Sequence, residues 1–452
     1  MARSSKKESL EVLNPDSAGI DIGSDKHFVS VPEHKSATPI RTFGATTRDL
    51  DEIVKWLNSL GIKDVAMEST GIYWIALFDM LEANGIKVCL VNARHLKNVS
   101  GRKTDVSDCE WLRKLHSYGL LNSSFIPDDL TRMLRCFVRQ RMSIEVLKAK
   151  DLTQIGMVLH KMNIKLHCIV SELNGVTAMT IIRLIADGEN RPEELIKHWT
   201  PQMKVSKEVA LRSLEGNYKE ENLFVLRQYL SSYDFHKSQM LECDAKIEEV
   251  LQQIAAIEIK KRDKTSKIDM SKKKMRKKPR KNQYTFDSRS YLKSICGVDL
   301  CAVDGFEACT VITLLAEVGT DLSKFPTPKH FVSWLRLCPN PKKTGGKVIG
   351  SKKNTTSNRA SNAFRLCARS LHASKCYLGE YYRRIAFRRG AGVANKALAR
   401  KLAILFYTMI TQQIEYKATN MCELDKRTEI KMIKNLQNKA KRLGYKIVKE
   451  SA

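Results

Sequence analysis

Four carboxylates in the first quarter of the chain have the types and settings that phosphoryl-transfer chemistry uses. Asp21 lies within the apolar run "SAGIDIGSDKHFVSV", Glu68 ends the run in "VAMESTG", and Asp105 and Asp108 fall in "GRKTDVSDCEWL". A strand aspartate followed by Gly23 and Ser24 serves two chemistries. In a kinase-like ATPase the Asp-x-Gly-Ser turn holds phosphate. In a nuclease the same aspartate is the first ligand of a catalytic metal ion. The kinase reading requires a second phosphate loop and a glycine-rich adenosine site, and the sequence offers neither. Glu68 closes a later strand, while Asp105 and Asp108, three residues apart at a helix start, project from one helix face. Converging carboxylates hold hard, oxygen-seeking cations such as Mg²⁺, and such ions stabilise phosphoryl transfer. Taken singly, Glu68 reads as a solvated strand end, and the two aspartates as helix N-terminal residues favoured by the dipole. Together, in a basic chain, the four favour the metal site.

The elements that must position them follow from the hydrophobic pattern. Short β-type runs at Ile20–Ile22, Phe28–Val31, Asp64–Met67 and Ile86–Val91 alternate with helix signals, and "GSDK" turns the chain between the first two. In "GIYWIALFDMLEANG", Ile75, Leu77, Phe78 and Leu81 suit a helix packed on a sheet. That pattern predicts an α/β domain over residues 17–127, after a flexible segment 1–16. Between 128 and 259 the strand signal vanishes. Leu152, Ile155, Leu159 and Met162 form a narrow stripe, as do Leu223, Leu226, Leu230 and Tyr233. Beyond polar breaks at Lys237 and Asp244, Ile247, Leu251 and Ile254 continue it, as long paired helices or a coiled coil require. "LIADGENRPEELIKHWTP" reads as a short loop-helix hairpin between them.

Residues 260–281 hold thirteen Lys or Arg and two Asp, a composition that builds no core, so a basic linker is expected over 260–283. It suits backbone phosphates without reading sequence. A mainly helical domain is expected over 284–415, with two helices turning at Gly305, and a basic amphipathic tail over 416–452.

Across 452 residues, 78 Lys and Arg face 49 Asp and Glu, a net charge of +29 that calls for a polyanionic partner, nucleic acid first. The twelve cysteines show no Cys-x-x-Cys pair and no zinc-type spacing, and read as reduced, mostly buried cytoplasmic thiols. "MARSSKKESLEVLNP" lacks the apolar core of a signal peptide, and the longest apolar run, Leu402–Ile410, is too short for a bilayer, so no membrane role is expected.

With these residues in place, the sequence resembles the bacterial insertion-sequence transposases known as bridge-RNA-guided recombinases. The resemblance rests on "GIDIGSDKHFVSV", "MESTGIYWIALFDMLEANGIKVCLVNARHLKNVSGRKTDVSDCEWL" and "GLLNSSFIP" in the first domain. In the second it rests on "GVDLCAVDGF", "LLAEVGTDLSKFPTPKHFVSWLRLCPNPKKTGGKV" and "KNTTSNRASNAFRLCARSL", and it runs from about Ser17 to Lys446. It implies an RNase H-like (RuvC-like) domain whose D-E-D-D set, Asp21, Glu68, Asp105 and Asp108, binds Mg²⁺. It implies a second domain whose serine attacks a DNA phosphodiester and holds the strand covalently. It also implies a structured guide RNA that pairs with target and donor DNA. Assembly through the coiled coil as a homo-dimer or tetramer, and action at the nucleoid, follow from the same likeness.

One position departs from the family pattern. Where the family reads Ser-Gly-Gly-Lys-Val, this chain reads "PKKTGGKV", with Thr344 in the serine's place and Ser351 as a fallback. Threonine keeps the hydroxyl, but its β-methyl restricts χ1 and crowds in-line attack. A working threonine enzyme, a slowed one and a protein that binds without recombining all fit. A metal-only nuclease or junction resolvase would need the carboxylates but not Thr344.

Nucleic-acid contacts are expected from three segments. Arg94, His95, Lys97, Arg102 and Lys103 precede the aspartate helix, and Lys347 follows Thr344. Asn358, Asn362, Arg365 and Arg369 form one helical stripe, opposite Ala360, Ala363, Phe364, Cys367 and Leu371. The bland alternatives, a solvated basic loop and a solvated polar face, stand beside both. Tyr73 and Trp74 read as core or interface residues.

Overall fold

The computed structural model describes residues 11–92, 105–198, 205–262, 282–339, 341–351 and 358–417, together with 433, 436–438 and 440–446; the side chains of 105–107, 341–343, 348 and 351 lie outside it. Tertiary contacts divide the chain into two units, residues 1–126 and 127–452.

The first unit is built on a five-stranded sheet in the order β3-β2-β1-β4-β5. Its strands are β1 (Ser17–Ile22), β2 (Lys26–Ser30), β3 (Ile40–Gly44), β4 (Asp64–Glu68) and β5 (Lys87–Val91). β1, β2 and β3 run as an antiparallel meander, whereas β4 and β5 lie parallel to β1. Because strand side chains alternate, each strand offers one residue set to either face. Ala18, Ile20, Ile22, Val29, Val65, Met67 and Leu90 pack with α1 (Thr47–Ser59) and α2 (Trp74–Ala83) into one apolar core. The opposite face receives α3 (Asp105–Ser117). This mixed sheet has the RNase H-like layout.

Two elements here escaped the sequence reading: β3, and α1, whose start is fixed by a reciprocal capping box between Thr46 and Asp49. Ile75 is exposed rather than core, while Leu77, Phe78 and Leu81 are buried. Trp74 packs edge-on to Phe78, but Tyr73 is about half exposed.

The second unit begins with α4 (Asp129–Lys161) and continues through α5 (Leu166–Ile169), α6 (Val176–Ala186), α7 (Pro192–Leu195) and α8 (Lys207–Leu214) to α9 (Glu220–Lys261). α4 and α9 pack along each other. Asp151 meets Ser232 and His236, and Arg141 meets Asp244, so partner numbers fall on one helix as they rise on the other. The pair is therefore antiparallel within one chain. Asp244, a break in the apolar stripe by sequence, is buried in the seam and ion-paired to Arg141, whose guanidinium also lies over the Tyr284 ring. Lys260 and Lys261 belong to the end of α9 rather than to a linker, and 263–281 lie outside the described residues.

α10 (Ser288–Cys296), α11 (Ala308–Val318), α12 (Pro328–Trp334), α13 (Arg359–Ser370), α14 (Tyr377–Arg389) and α15 (Ala391–Gln412) complete the unit. α10 ends at Gly297 in the left-handed region, a second glycine turn beside Gly305. Phe306, Phe331, Phe364 and Phe406 stack together at the centre. Arg135 and Arg139 of α4 fasten to the last turn of α11, Arg135 through the carbonyls of Ala316 and Glu317 and Arg139 through the Glu317 carboxylate. An unexpected β-hairpin, β6 (Pro341–Thr344) and β7 (Lys347–Ser351), precedes α13.

Within the 402–410 run, Leu402, Ala403, Phe406, Tyr407, Met409 and Ile410 are the buried side of α15, and among the described residues no helix is long and apolar enough to cross a membrane. The described cysteines are free, but only Cys89, Cys109, Cys296 and Cys367 are buried, so the expectation of mostly buried thiols is corrected. Most of the tail lies outside the described residues.

Candidate active site

The candidate carboxylates lie where two central strands of the sheet meet a helix laid across them. The β1–β4 register pairs Ile20 with Met67, which sets Asp21 beside Glu68 at the C-terminal ends of neighbouring parallel strands. Asp21 points to the same face as Gly19, and Glu68 to the same face as Ala66 and Asp64. That face is covered by α3. A Cβ on Gly19 would stand 2.2 Å from the Cys109 carbonyl oxygen and 2.5 Å from the Arg113 amide nitrogen, so the helix backbone rests directly on the strand there. Glycine at 19 is what lets it do so.

Two further contacts set the direction of α3. Arg113 Nε donates to Ser30 Oγ at 3.2 Å, and His116 Nε2 meets Asp64 Oδ1 at 3.0 Å in an ion contact rather than an aligned hydrogen bond. Asp64 begins β4 and Glu68 ends it, so the helix runs opposite to the strand. Its first turn, with Asp105 and Asp108, consequently lies toward the strand ends that carry Asp21 and Glu68. Asp108 is half-buried one residue before Cys109. Burial pushes the Cys109 thiol up to about 11, and the charge of nearby Asp21 adds to the rise.

Local turns hold both strand carboxylates. After Asp21 the chain reverses through a Gly23 N–H to Lys26 carbonyl bond of 3.0 Å. After Glu68 it turns at once, with Thr70 N–H on the Glu68 carbonyl and Thr70 Oγ1 donating to Glu68 Oε1 at 3.1 Å. Asp21, Glu68 and Asp108 each carry only oxygen donors, the kind hard divalent cations accept. The Asp105 side chain lies outside the described residues, and among the described ones no three acidic, His or Cys side chains are already drawn to ligand distance. Arg94, His95, Lys97, Arg102 and Lys103 also fall outside.

His116 was not singled out by sequence. Burial opposes its charge, but Asp64 and Cys89 outweigh burial and raise its pKa to about 9. It anchors the far end of α3 with a buried positive charge.

Thr344 stands at the end of the hairpin, directly opposite Lys347. The two linking residues, Gly345 and Gly346, have φ of 53° and 77°, the left-handed pair that a tight hairpin needs and glycine supplies without strain. Thr344 and Lys347 are both exposed. Directly opposed residues share a face with Cβ atoms about 4.5–5.5 Å apart, so the ammonium group has the reach to meet a phosphate held at the Thr344 hydroxyl. The Ser351 side chain lies outside the described residues.

On α13, Asn362, Arg365 and Arg369 are exposed, and Ala360, Ala363, Phe364, Cys367 and Leu371 are buried opposite them. Asn358 stands apart from the stripe. It is half-buried, and its Oδ1 caps the helix by accepting the Ser361 N–H at 2.7 Å.

Comparison with known families gives two matches. A family model described as "Transposase", named for a DEDD domain, matches residues 18–164. A second, described as "Transposase IS116/IS110/IS902 family", matches residues 299–383. No curated protein matches the chain.

Proposed function

The chain belongs to the IS110 type of insertion-sequence transposases and is a DNA transposase, and from that premise we propose how its residues divide the work of breaking and rejoining strands. Asp21, Glu68, Asp105 and Asp108 hold Mg²⁺. When bound, the metal supplies Lewis-acid stabilisation of charge building on the phosphoryl oxygens. The supporting observation is the placement of Asp21 and Glu68 side by side at two strand ends, with the first turn of α3 directed toward them.

Thr344 is the nucleophile of this reading. Its hydroxyl oxygen attacks the phosphorus of a DNA phosphodiester. An Oγ1–P bond forms, the bond from phosphorus to the leaving sugar oxygen breaks, and the hydroxyl proton ends on that oxygen. The receiving strand's hydroxyl then attacks the same phosphorus, breaks the Oγ1–P bond and returns a proton to Thr344. Phosphodiesters are conserved in number, so no co-reactant is consumed. Lys347 stabilises the phosphate oxygens, and Asn362, Arg365 and Arg369 contact nucleic acid, with Arg94, Lys97, Arg102 and Lys103 serving the carboxylate site. Asn358 acts by starting α13. A structured guide RNA, which the +29 charge supports, and assembly as a dimer or tetramer complete the reading.

A denaturing gel of protein incubated with guide RNA, labelled DNA and Mg²⁺ tests it. The expected product is a covalent adduct mapping to Thr344, retained in Thr344→Ser and lost in Thr344→Ala with nucleic-acid binding intact. Cleavage without any adduct would overturn the nucleophile assignment.

A further inference from the structure

α14 carries an aromatic ring that the fold leaves outside. Phe387 is 94% exposed, the most exposed large apolar side chain among the described residues. A phenylalanine so placed contributes nothing to the core, and its neighbours are cationic. The segment reads "YYRRIAFRRG". At helical spacing Arg384, Phe387 and Arg388 share one face, and Arg389 follows in the same last turn before Gly390 ends the helix. All four side chains are exposed, and among the described residues no carboxylate pairs with Arg384, Arg388 or Arg389.

Helix geometry fixes this platform. The other side of α14 buries Leu378, Gly379 and Tyr382. Arg383 is committed to the carbonyls of Ser374 and His372, at 2.6 and 3.2 Å, and ties the helix to the end of α13. The helix therefore cannot roll to hide Phe387 without breaking those bonds. Arg384 reaches toward the Tyr381 ring, 6.0 Å from its centroid. The only acid on the helix, Glu380, is half-buried in the opposite, first turn.

We propose that the last turn of α14 is a binding site for an unpaired nucleotide, with Phe387 stacking on its base and Arg384, Arg388 and Arg389 holding the flanking phosphates. The chemistry discriminates among occupants. An apolar protein partner would cover Phe387 but strand three guanidinium groups without counter-charge. A second copy of this face would bring its own arginines against them. A single-stranded nucleic acid satisfies both halves, because every base has a π-face and every linkage a negative charge. Duplex DNA offers the phosphates but keeps its bases stacked within. The site deepens the transposase reading, since strand exchange passes through unpaired strands, and it rests on that reading for its biological setting alone.

The test is binding of the full-length protein to labelled single-stranded and duplex oligonucleotides, measured by fluorescence anisotropy across a salt series without Mg²⁺. Phe387→Ala should weaken single-strand binding by between about 5- and 150-fold, the range that loss of one base–aromatic stack gives, and leave duplex binding and the melting temperature unchanged. Phe387→Trp should restore the affinity and show tryptophan quenching on binding beyond that of the five native tryptophans. Arg388→Ala should lower the slope of log affinity against log salt by about 0.7. Unchanged single-strand affinity in Phe387→Ala would overturn the proposal, as would equal losses for single strand and duplex. A change confined to sedimentation or to binding of anionic vesicles would also overturn it, assigning the face to a protein partner or a membrane surface. Because no strand is cut in this assay, failure of the catalytic reading would leave the result standing.

Discussion

Gly19→Ala places one methyl group where strand and helix backbones already touch. Its Cβ would meet the Cys109 carbonyl oxygen at 2.2 Å and the Arg113 amide nitrogen at 2.5 Å, both main-chain atoms with no rotamer to yield. Restoring even a 3.0 Å separation from 2.2 Å moves α3 outward by about 0.8 Å. Overpacking of this kind costs about 1–3 kcal/mol, so the unit should still fold, with a melting temperature lowered by several degrees. The catalytic cost is larger. α3 carries Asp105 and Asp108, while Asp21 and Glu68 stay with the sheet, so the shift separates the two halves of the carboxylate set. Misplacement near 1 Å lowers rates on the order of 10²-fold. Strand exchange with guide RNA and Mg²⁺, read beside circular-dichroism melting and binding isotherms, should show a rate loss well beyond the stability loss, with nucleic-acid affinity retained. Strand exchange at the wild-type rate with an unchanged melting temperature would refute the seating of α3 on Gly19 as the device that positions the site.

Asp21→Asn should abolish strand exchange while leaving the melting temperature unchanged or raised, because it removes one charge from an acidic cluster; normal recombination by this variant would dismiss the metal site. Asp244→Ala takes from the buried Arg141 guanidinium its close carboxylate and leaves only Glu145 at 3.7 Å, and should cost about 3–5 kcal/mol in urea unfolding, whereas Arg141→Met combined with Asp244→Leu should recover most of it. His116 has its pKa raised from 6.5 to about 9, so its contribution is fully present below pH 6.5 and lost as pH rises toward 9. The melting temperature should fall across that window in wild type and stay flatter in His116→Gln.

The candidate carboxylates stood out because acidic residues inside apolar runs are costly unless used, and strand periodicity anticipated that Asp21 and Glu68 would close neighbouring strands, as the β1–β4 register shows. Legibility stopped where a residue's meaning depends on its partner. Asp244 read as an interruption of a helical stripe, yet it is the buried half of an ion pair whose other half, Arg141, is 103 residues away. His116 carries no local signal at all, since Asp64 and Cys89 reach it from two strands. α1 went unseen although Thr46 and Asp49 spell a capping box, and β3 because "IRTFG" is half-buried at the sheet edge.

Gly19 and the Gly345–Gly346 pair show the other limit. Each was visible as a letter, but glycine states only that a side chain is unwelcome, not whether the reason is a turn or a close approach. At 345 and 346 the reason is backbone conformation, with both residues at positive φ to close a hairpin that presents Thr344 opposite Lys347. At 19 it is space, since the strand geometry there is ordinary and the obstacle is the backbone of α3. The two cases differ in what a substitution breaks. Alanine in the hairpin strains the turn beside Thr344, whereas alanine at 19 leaves its own strand unstrained and displaces a helix whose first turn carries Asp105 and Asp108. Residues without side chains therefore set where the Thr344 hydroxyl and the first turn of α3 stand.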